Sequence, residues 1–159
     1  MRLFTTLYIL FTLFAFSAHA EFSGFVGIGD GTLKHQAFER TVSLGWVIHP
    51  GDAFFVKPEI GGWIGGFGMP SYFVGVPLGF QVWIPATGAF CHMAVGPSWI
   101  SNPDSELSSH LQFDTEFGFG LQSDKAEIGL IWKHFSNAGL KLPNQGRDFL
   151  GLQLRVKGF

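Results

Sequence analysis

The chain is short of charge and short of continuous apolar sequence at once. Only 14% of its 159 residues are Asp, Glu, Lys or Arg, and the formal net charge is -2 with no basic patch. A nucleic-acid partner is excluded on that ground, because such surfaces cluster Lys and Arg against phosphates. Cys91 is the single cysteine, so no intramolecular disulfide can staple the fold. His35, His49, His92 and His110 lie in separate segments without ligand spacing, and neither a metal nor another cofactor is expected. After Ala20 no apolar run approaches the ~20 residues of a spanning helix, because Gly and Pro interrupt every one. What is abundant is aromatic and small: 16% Phe, Trp and Tyr with 22 Gly, a greasier and more glycine-rich mixture than a soluble domain carries.

Residues 1–20 read separately from the rest. Arg2 supplies a positive start, Leu3 to Phe16 is dominated by apolar residues, and Ala18-His19-Ala20 has the small-residue pattern of a cleavage site. A signal peptide over 1–20 is expected, with the mature domain over 21–159. No Cys follows the cleavage site, which argues against a lipoprotein.

The mature chain repeats a run of about ten residues with period-2 alternation, bounded by turn residues. Strands are predicted near 22–30, 38–48, 53–65, 71–84, 88–100, 110–122, 125–135 and 147–157. Val42, Leu44, Trp46 and Ile48 share one face opposite Thr41, Ser43, Gly45 and Val47; Leu111, Phe113, Phe117, Phe119 and Leu121, with Thr115 among them, lie opposite Gln112, Asp114, Glu116, Gly118 and Gln122. A soluble barrel would bury the apolar face, whereas a membrane barrel turns it to lipid and keeps polar groups inside. Connections decide between them: 49–52, 85–87 and 123–124 are short turns, while 101–109 and 137–146 are long loops, the asymmetry of outer-membrane barrels. The predicted fold is therefore all-β, an eight-stranded antiparallel transmembrane β-barrel of the outer membrane. Trp46, Trp63, Trp83, Trp99 and Trp132 fall near strand ends, where an interfacial belt or ordinary sheet packing explains them.

Chemistry concentrates between Glu127 and Phe149. Ile128, Leu130 and Trp132 alternate along a strand that carries His134 and Ser136 on the same face, and Asp148 opens a second run through Leu150, Leu152 and Leu154. A hairpin register that pairs His134 with Asp148 also pairs Trp132 with Leu150, Leu130 with Leu152, Ile128 with Leu154, and sets Glu127 against Arg155. A shift by two residues keeps the faces consistent as well. Ser136, His134 and Asp148 are then the ingredients of a Ser-His-acid triad. The alternative is a strand-end His, a Ser capping its own loop and a turn Asp. Asn137, Ala138 and Gly139 follow the serine and are local candidates for an oxyanion hole, or for a plain turn. A second constellation, Ser108, Ser109 and His110 with Asp114 and Glu116, reads better as an interior charge network neutralised by Lys57, Lys133, Arg155 and Lys157, since adjacent Ser and His point to opposite faces.

The run HFSNAGLKLPNQGRDF resembles the signature of the lipid A 3-O-deacylase family, PagL-type outer-membrane esterases, at His134, Ser136, Asn137, Ala138, Gly139, Pro143, Asn144 and Gly146. The resemblance implies that His134 and Ser136 are catalytic and that Asp148, fourteen residues after the His, is the acid at a position where members of the family carry Glu. It implies lipid A of lipopolysaccharide as substrate, hydrolysed at the ester of its 3-O-linked 3-hydroxyacyl chain, with the active site facing the outer leaflet. Phe159 resembles the C-terminal aromatic of proteins handled by the outer-membrane assembly machinery, an expected partner. The competing classes are a non-catalytic small barrel serving adhesion or membrane integrity and a lipid A acyltransferase barrel.

Overall fold

The computed structural model describes residues 19–30, 38–65, 70–103 and 107–158. Most of the expected signal segment and Phe159 lie outside the described residues. The strands are β1 (His19–Asp30), β2 (Phe38–His49), β3 (Phe54–Val56), β4 (Glu59–Gly65), β5 (Ser71–Gly75), β6 (Leu78–Ile84), β7 (Ala89–Ile100), β8 (Leu111–Gln122), β9 (Ala126–Ser136) and β10 (Arg147–Val156). β1 takes in His19 and Ala20, the last residues of the segment expected to be removed. Every pairing is antiparallel, and β1 pairs with both β2 and β10, which closes the sheet on itself. Closure satisfies each strand's backbone inside the wall, the condition for crossing a bilayer with strands.

The expectation of eight unbroken strands needs a correction, because the sheet has ten. β3 and β4 both pair with β2, while β5 and β6 both pair with β7, so each pair occupies one position in the wall. The interruptions fall at Pro58 and Pro77. Proline has no N–H to give to a ladder and is tolerated only where pairing breaks. Bonds across the breaks keep the wall shut: Trp46 N–H donates to Pro58 O at 3.0 Å, Lys57 N–H to Pro77 O at 2.8 Å and Val76 N–H to Pro97 O at 3.0 Å.

The alternation reads out as inside and outside. Val42, Leu44, Trp46, Phe117, Phe119, Leu150, Leu152 and Leu154 are exposed on the outer wall, whereas Thr41, Ser43, Glu116, Gln153 and Arg155 are buried within. An outer surface this apolar suits hydrocarbon and not water. The tryptophans divide: Trp46, Trp99 and Trp132 face outward, but Trp63 is buried among Phe73, Phe135 and Phe149. Trp83 donates from Nε1 to Gln122 Oε1 at 2.8 Å. A belt therefore accounts for only part of the set. Trp63 faces inward because Glu59, Gly61 and Trp63 fall on one parity of β4.

The interior is filled in layers. Near the end where β9 runs into its loop, Phe25, Trp63, Phe73, Ile100, Leu107, Ile131, Phe135 and Phe149 pack into one cluster. Beneath it lies an ionic knot. Lys133 Nζ sits 2.6 Å from Glu59, 2.9 Å from Glu116 and 3.2 Å from Asp114, while Lys57 closes on the same Glu116 oxygen, Oε1. Further along, Arg155 reaches Glu127 at 3.1 Å and Gln81 at 2.5 Å. Asp114 and Glu116 thus belong to the interior, as expected, and the Lys133 ammonium occupies the focus of the carboxylate group Glu59, Asp114 and Glu116.

Lys133→Met would leave Asp114 without its cation and Glu59 and Glu116 with Lys57 alone. Breaking a buried ion pair by removing one partner costs about 3–5 kcal/mol. The refolded barrel should show a correspondingly lower urea midpoint, and adding Glu59→Gln should recover part of it. A midpoint like that of the parent would mean that Lys133 is not what holds the layer together.

Candidate active site

β9 and β10 meet in the register expected from the sequence: His134 opposite Asp148, Trp132 opposite Leu150, Leu130 opposite Leu152, Ile128 opposite Leu154 and Glu127 opposite Arg155. Inward residues fix this stretch from behind. Lys133 and Phe135 flank His134 and are buried in the knot and the aromatic cluster, while Arg147 and Phe149 flank Asp148 in the same way. Arg147 Nε lies 3.2 Å from Glu39 and its guanidinium lies over the Trp63 ring. With every second side chain locked inside, the residues between them are presented outward at set positions.

On the outer wall, His134 Nδ1 and Asp148 Oδ1 are 2.9 Å apart, with side chains 27% and 53% exposed. A carboxylate at Nδ1 accepts the Nδ1–H proton, which leaves Nε2 with its lone pair, the tautomer a general base requires. The imidazole stacks on Trp132, ring centres 5.5 Å apart and planes 16° from parallel. Ser136 shares that face at the end of β9, and Thr115 pairs with His134 from the β8 side. Thr115, His134, Ser136 and Asp148 make a polar island in an apolar wall.

The loop after Ser136 is tied down tightly. Leu140 N–H donates to Asn137 O at 3.0 Å around Ala138 and Gly139, whose φ values are 54° and 77°. Positive φ at both central residues is type I′ geometry, and an L-residue there costs about 1 kcal/mol. Asn137 does not supply free oxyanion donors, contrary to expectation. Its Nδ2 is engaged by Lys141 O at 2.7 Å, Leu107 O at 3.1 Å and Ser108 Oγ at 3.2 Å, and its N–H by Asn144 Oδ1 at 2.9 Å. Asn137 is buried and works as the knot between two loops. Among the described residues, the N–H groups of Ala138 and Gly139 donate to no protein acceptor.

The competing constellation comes apart. His110 Nδ1 lies 2.8 Å from Ile100 O and its ring stacks on Trp99, while Ser108 Oγ donates to Lys141 O. One residue with no role assigned from sequence emerges at the site, namely Gly146. It holds φ at 76°, and a Cβ there would come 2.4 Å from His134 Cε1. The imidazole is therefore packed between Trp132 and bare backbone. Its place in the HFSNAGLKLPNQGRDF run was the available signal, but only the loop's return path shows what it touches. Gly146→Ala should push the ring off Asp148, read as loss of the downfield Nδ1 proton resonance in the refolded protein. Persistence of that resonance would show that the loop yields instead.

Comparison with known proteins follows the same line. Residues 42–157 match the family described as Lipid A 3-O-deacylase (PagL). Lipid A deacylase PagL of Bordetella bronchiseptica (strain ATCC BAA-588 / NCTC 13252 / RB50) is 44% identical over 50 residues, a stretch that is 31% of this chain and spans 28% of that relative's length. The crystal structure of the outer membrane enzyme PagL superimposes with a TM-score of 0.63 at 20% identity, covering 87% of this chain and 99% of that one. The N-terminal β-barrel domain of Pseudomonas aeruginosa OprF superimposes at 0.61 and 9% identity, over 89% of this chain and 100% of that one. At those identities the structural likeness is one of fold, that of outer-membrane β-barrels. The family match covers most of the sequence, strands and site loop together, and the chain belongs to the lipid A 3-O-deacylase (PagL) family.

Proposed function

We propose that this protein is an outer-membrane serine esterase that hydrolyses the 3-O-linked acyl ester of lipid A and releases a 3-hydroxy fatty acid. The observation that carries the reading is the Asp148–His134 pair at 2.9 Å on the lipid-facing wall, with Ser136 two residues along the same face. Residues two apart on a strand have Cα atoms roughly 7 Å apart, within reach of an imidazole and a hydroxyl leaning together. Ser136 Oγ attacks the ester carbonyl, His134 Nε2 takes the hydroxyl proton and returns it to the departing sugar oxygen, and water then releases the acyl group from Ser136 by the same route in reverse. Asp148 holds the imidazole tautomer and stabilises the imidazolium. The Ala138 and Gly139 amides are the proposed oxyanion donors, with Asn137 holding their turn in place.

Orientation belongs to the same reading. The island lies at the end of the barrel bearing the long loops, which in outer-membrane barrels face outward. The serine then meets the outer leaflet, where lipopolysaccharide resides, and the substrate ester reaches it without leaving the membrane.

Triad members act as a unit, so removing one typically costs about as much as removing all. Ser136→Ala and His134→Ala should each abolish release of 3-hydroxy fatty acid from lipid A, with the double variant little worse, while heat-modifiable migration on gels stays intact. Wild-type turnover by folded Ser136→Ala protein would sink the mechanism, and a parent protein inert toward lipid A would leave a non-catalytic barrel. Asp148→Asn should lower turnover by about 10⁴-fold in the manner of triad acids, and Asp148→Glu should retain much of it. Full activity in Asp148→Asn would remove Asp148 from the triad.

A further inference from the structure

Arg40 is exposed on the same outer face as the catalytic island. Among the strand residues whose burial is described, the exposed charged ones are Asp148 and Arg40, and the pairing places Asp30 on the same face between their strands. Arg40 is the third residue of β2, at the same barrel end as the site, exposed between Phe38 and Val42. It has no hydrogen bond or ion pair within the described residues. An Arg on the lipid face of a barrel is costly at the midplane and far less so near the interface. An unpaired guanidinium there is stabilised by an anion at headgroup level.

Its surroundings suit a lipid. Arg40 borders a groove of about 440 Å³ on the outer wall, lined by Val42, Ile60, Ile64 and Tyr72. Gly62 lies between Val42 and Tyr72 in the pairing and forms the floor of the trough. The register also sets its distance from the chemistry. Asp148 pairs with Asp30 and Asp30 with Phe38, two residues before Arg40. Two strand spacings and two residues of rise put the Cα atoms of Asp148 and Arg40 roughly 12 Å apart. That is the scale of a disaccharide headgroup.

We propose that Arg40 binds a phosphate of the phosphorylated glycolipid whose ester Ser136 cleaves, while the trough beside it takes one of that lipid's acyl chains. The inference rests on the deacylase reading of Ser136 and names a second attachment point for the same substrate. The guanidinium fork matches phosphate oxygens in a bidentate fashion that Lys does not reproduce. Phosphate on this side and ester on the other fix which sugar faces the serine.

The test uses the full chain refolded in detergent micelles, with Ser136→Ala in the background so that bound lipid is not turned over. Binding is measured for lipid A and for the same lipid A stripped of its phosphates. Arg40→Gln should weaken binding of the phosphorylated lipid about tenfold, a change of 1.4 kcal/mol, and should erase the preference over the stripped lipid; Arg40→Lys should fall between. Equal losses on both lipids would overturn the proposal. So would displacement of lipid A by phosphatidylglycerol as effectively as by lipid A itself, since the site would then be a general anionic anchor. Arg40-dependent binding by a protein that releases no fatty acid would defeat the esterase reading alone. Hydrolysis in which phosphate preference survives Arg40→Gln would defeat this inference alone.

Discussion

The structure depends on one ammonium group in the middle of the barrel. Lys133 stands among Glu59, Glu116 and Asp114, and the rings of Phe25, Phe73 and Phe135 lie 5.3–5.7 Å from its nitrogen. Carboxylates from β4 and β8 and a lysine from β9 are thereby drawn to one point, so strands distant along the chain cannot slide past one another without separating buried charges. In a lipid-embedded barrel the hydrophobic effect gives the outer wall no preference for any particular register. Interior charge supplies that preference.

The same knot reaches the chemistry through the shortest possible path, which is the next residue. Lys133 and His134 are neighbours on opposite faces of β9, as Arg147 and Asp148 are on β10. A one-residue slip of β9 would send the imidazole into the barrel and a lysine into lipid, and a slip of β10 would do the same to Asp148 and Arg147. Core packing and site geometry are therefore the same constraint viewed from two sides of one sheet.

Much of this is legible in the sequence, because a two-sided sheet writes its faces into alternate residues. The β9–β10 register that forms is the one that matches Leu130 with Leu152 and sets Glu127 against Arg155, although a shift by two residues would have kept the same faces. Three features were not legible. The breaks at Pro58 and Pro77 depend on which neighbour would have accepted the missing N–H, a property of pairing and not of composition. Trp63 looks like an interfacial residue until its parity within a shortened β4 is known. Asn137 read as an oxyanion donor or a turn residue, and Gly146 as a motif position with no contact assigned. Their roles, tying Leu107 and Lys141 together and backing the His134 ring, come from where distant loops return.

Asp148 is more than half exposed, and it is exposed on the wall that faces hydrocarbon and headgroups. Soluble esterases bury the corresponding acid, so that protein dipoles alone set the field around the imidazole. Here the described residues leave that flank open, and the surrounding medium completes the dielectric shell of the pair. If Asp148 serves His134 as proposed, headgroup charge, counter-ions and leaflet packing next to β10 enter the proton-transfer energetics directly, as a buffer component would in solution. On the esterase reading proposed for Ser136, His134 and Asp148, the catalytic power of this barrel is in that sense a joint property of the chain and of the membrane around it.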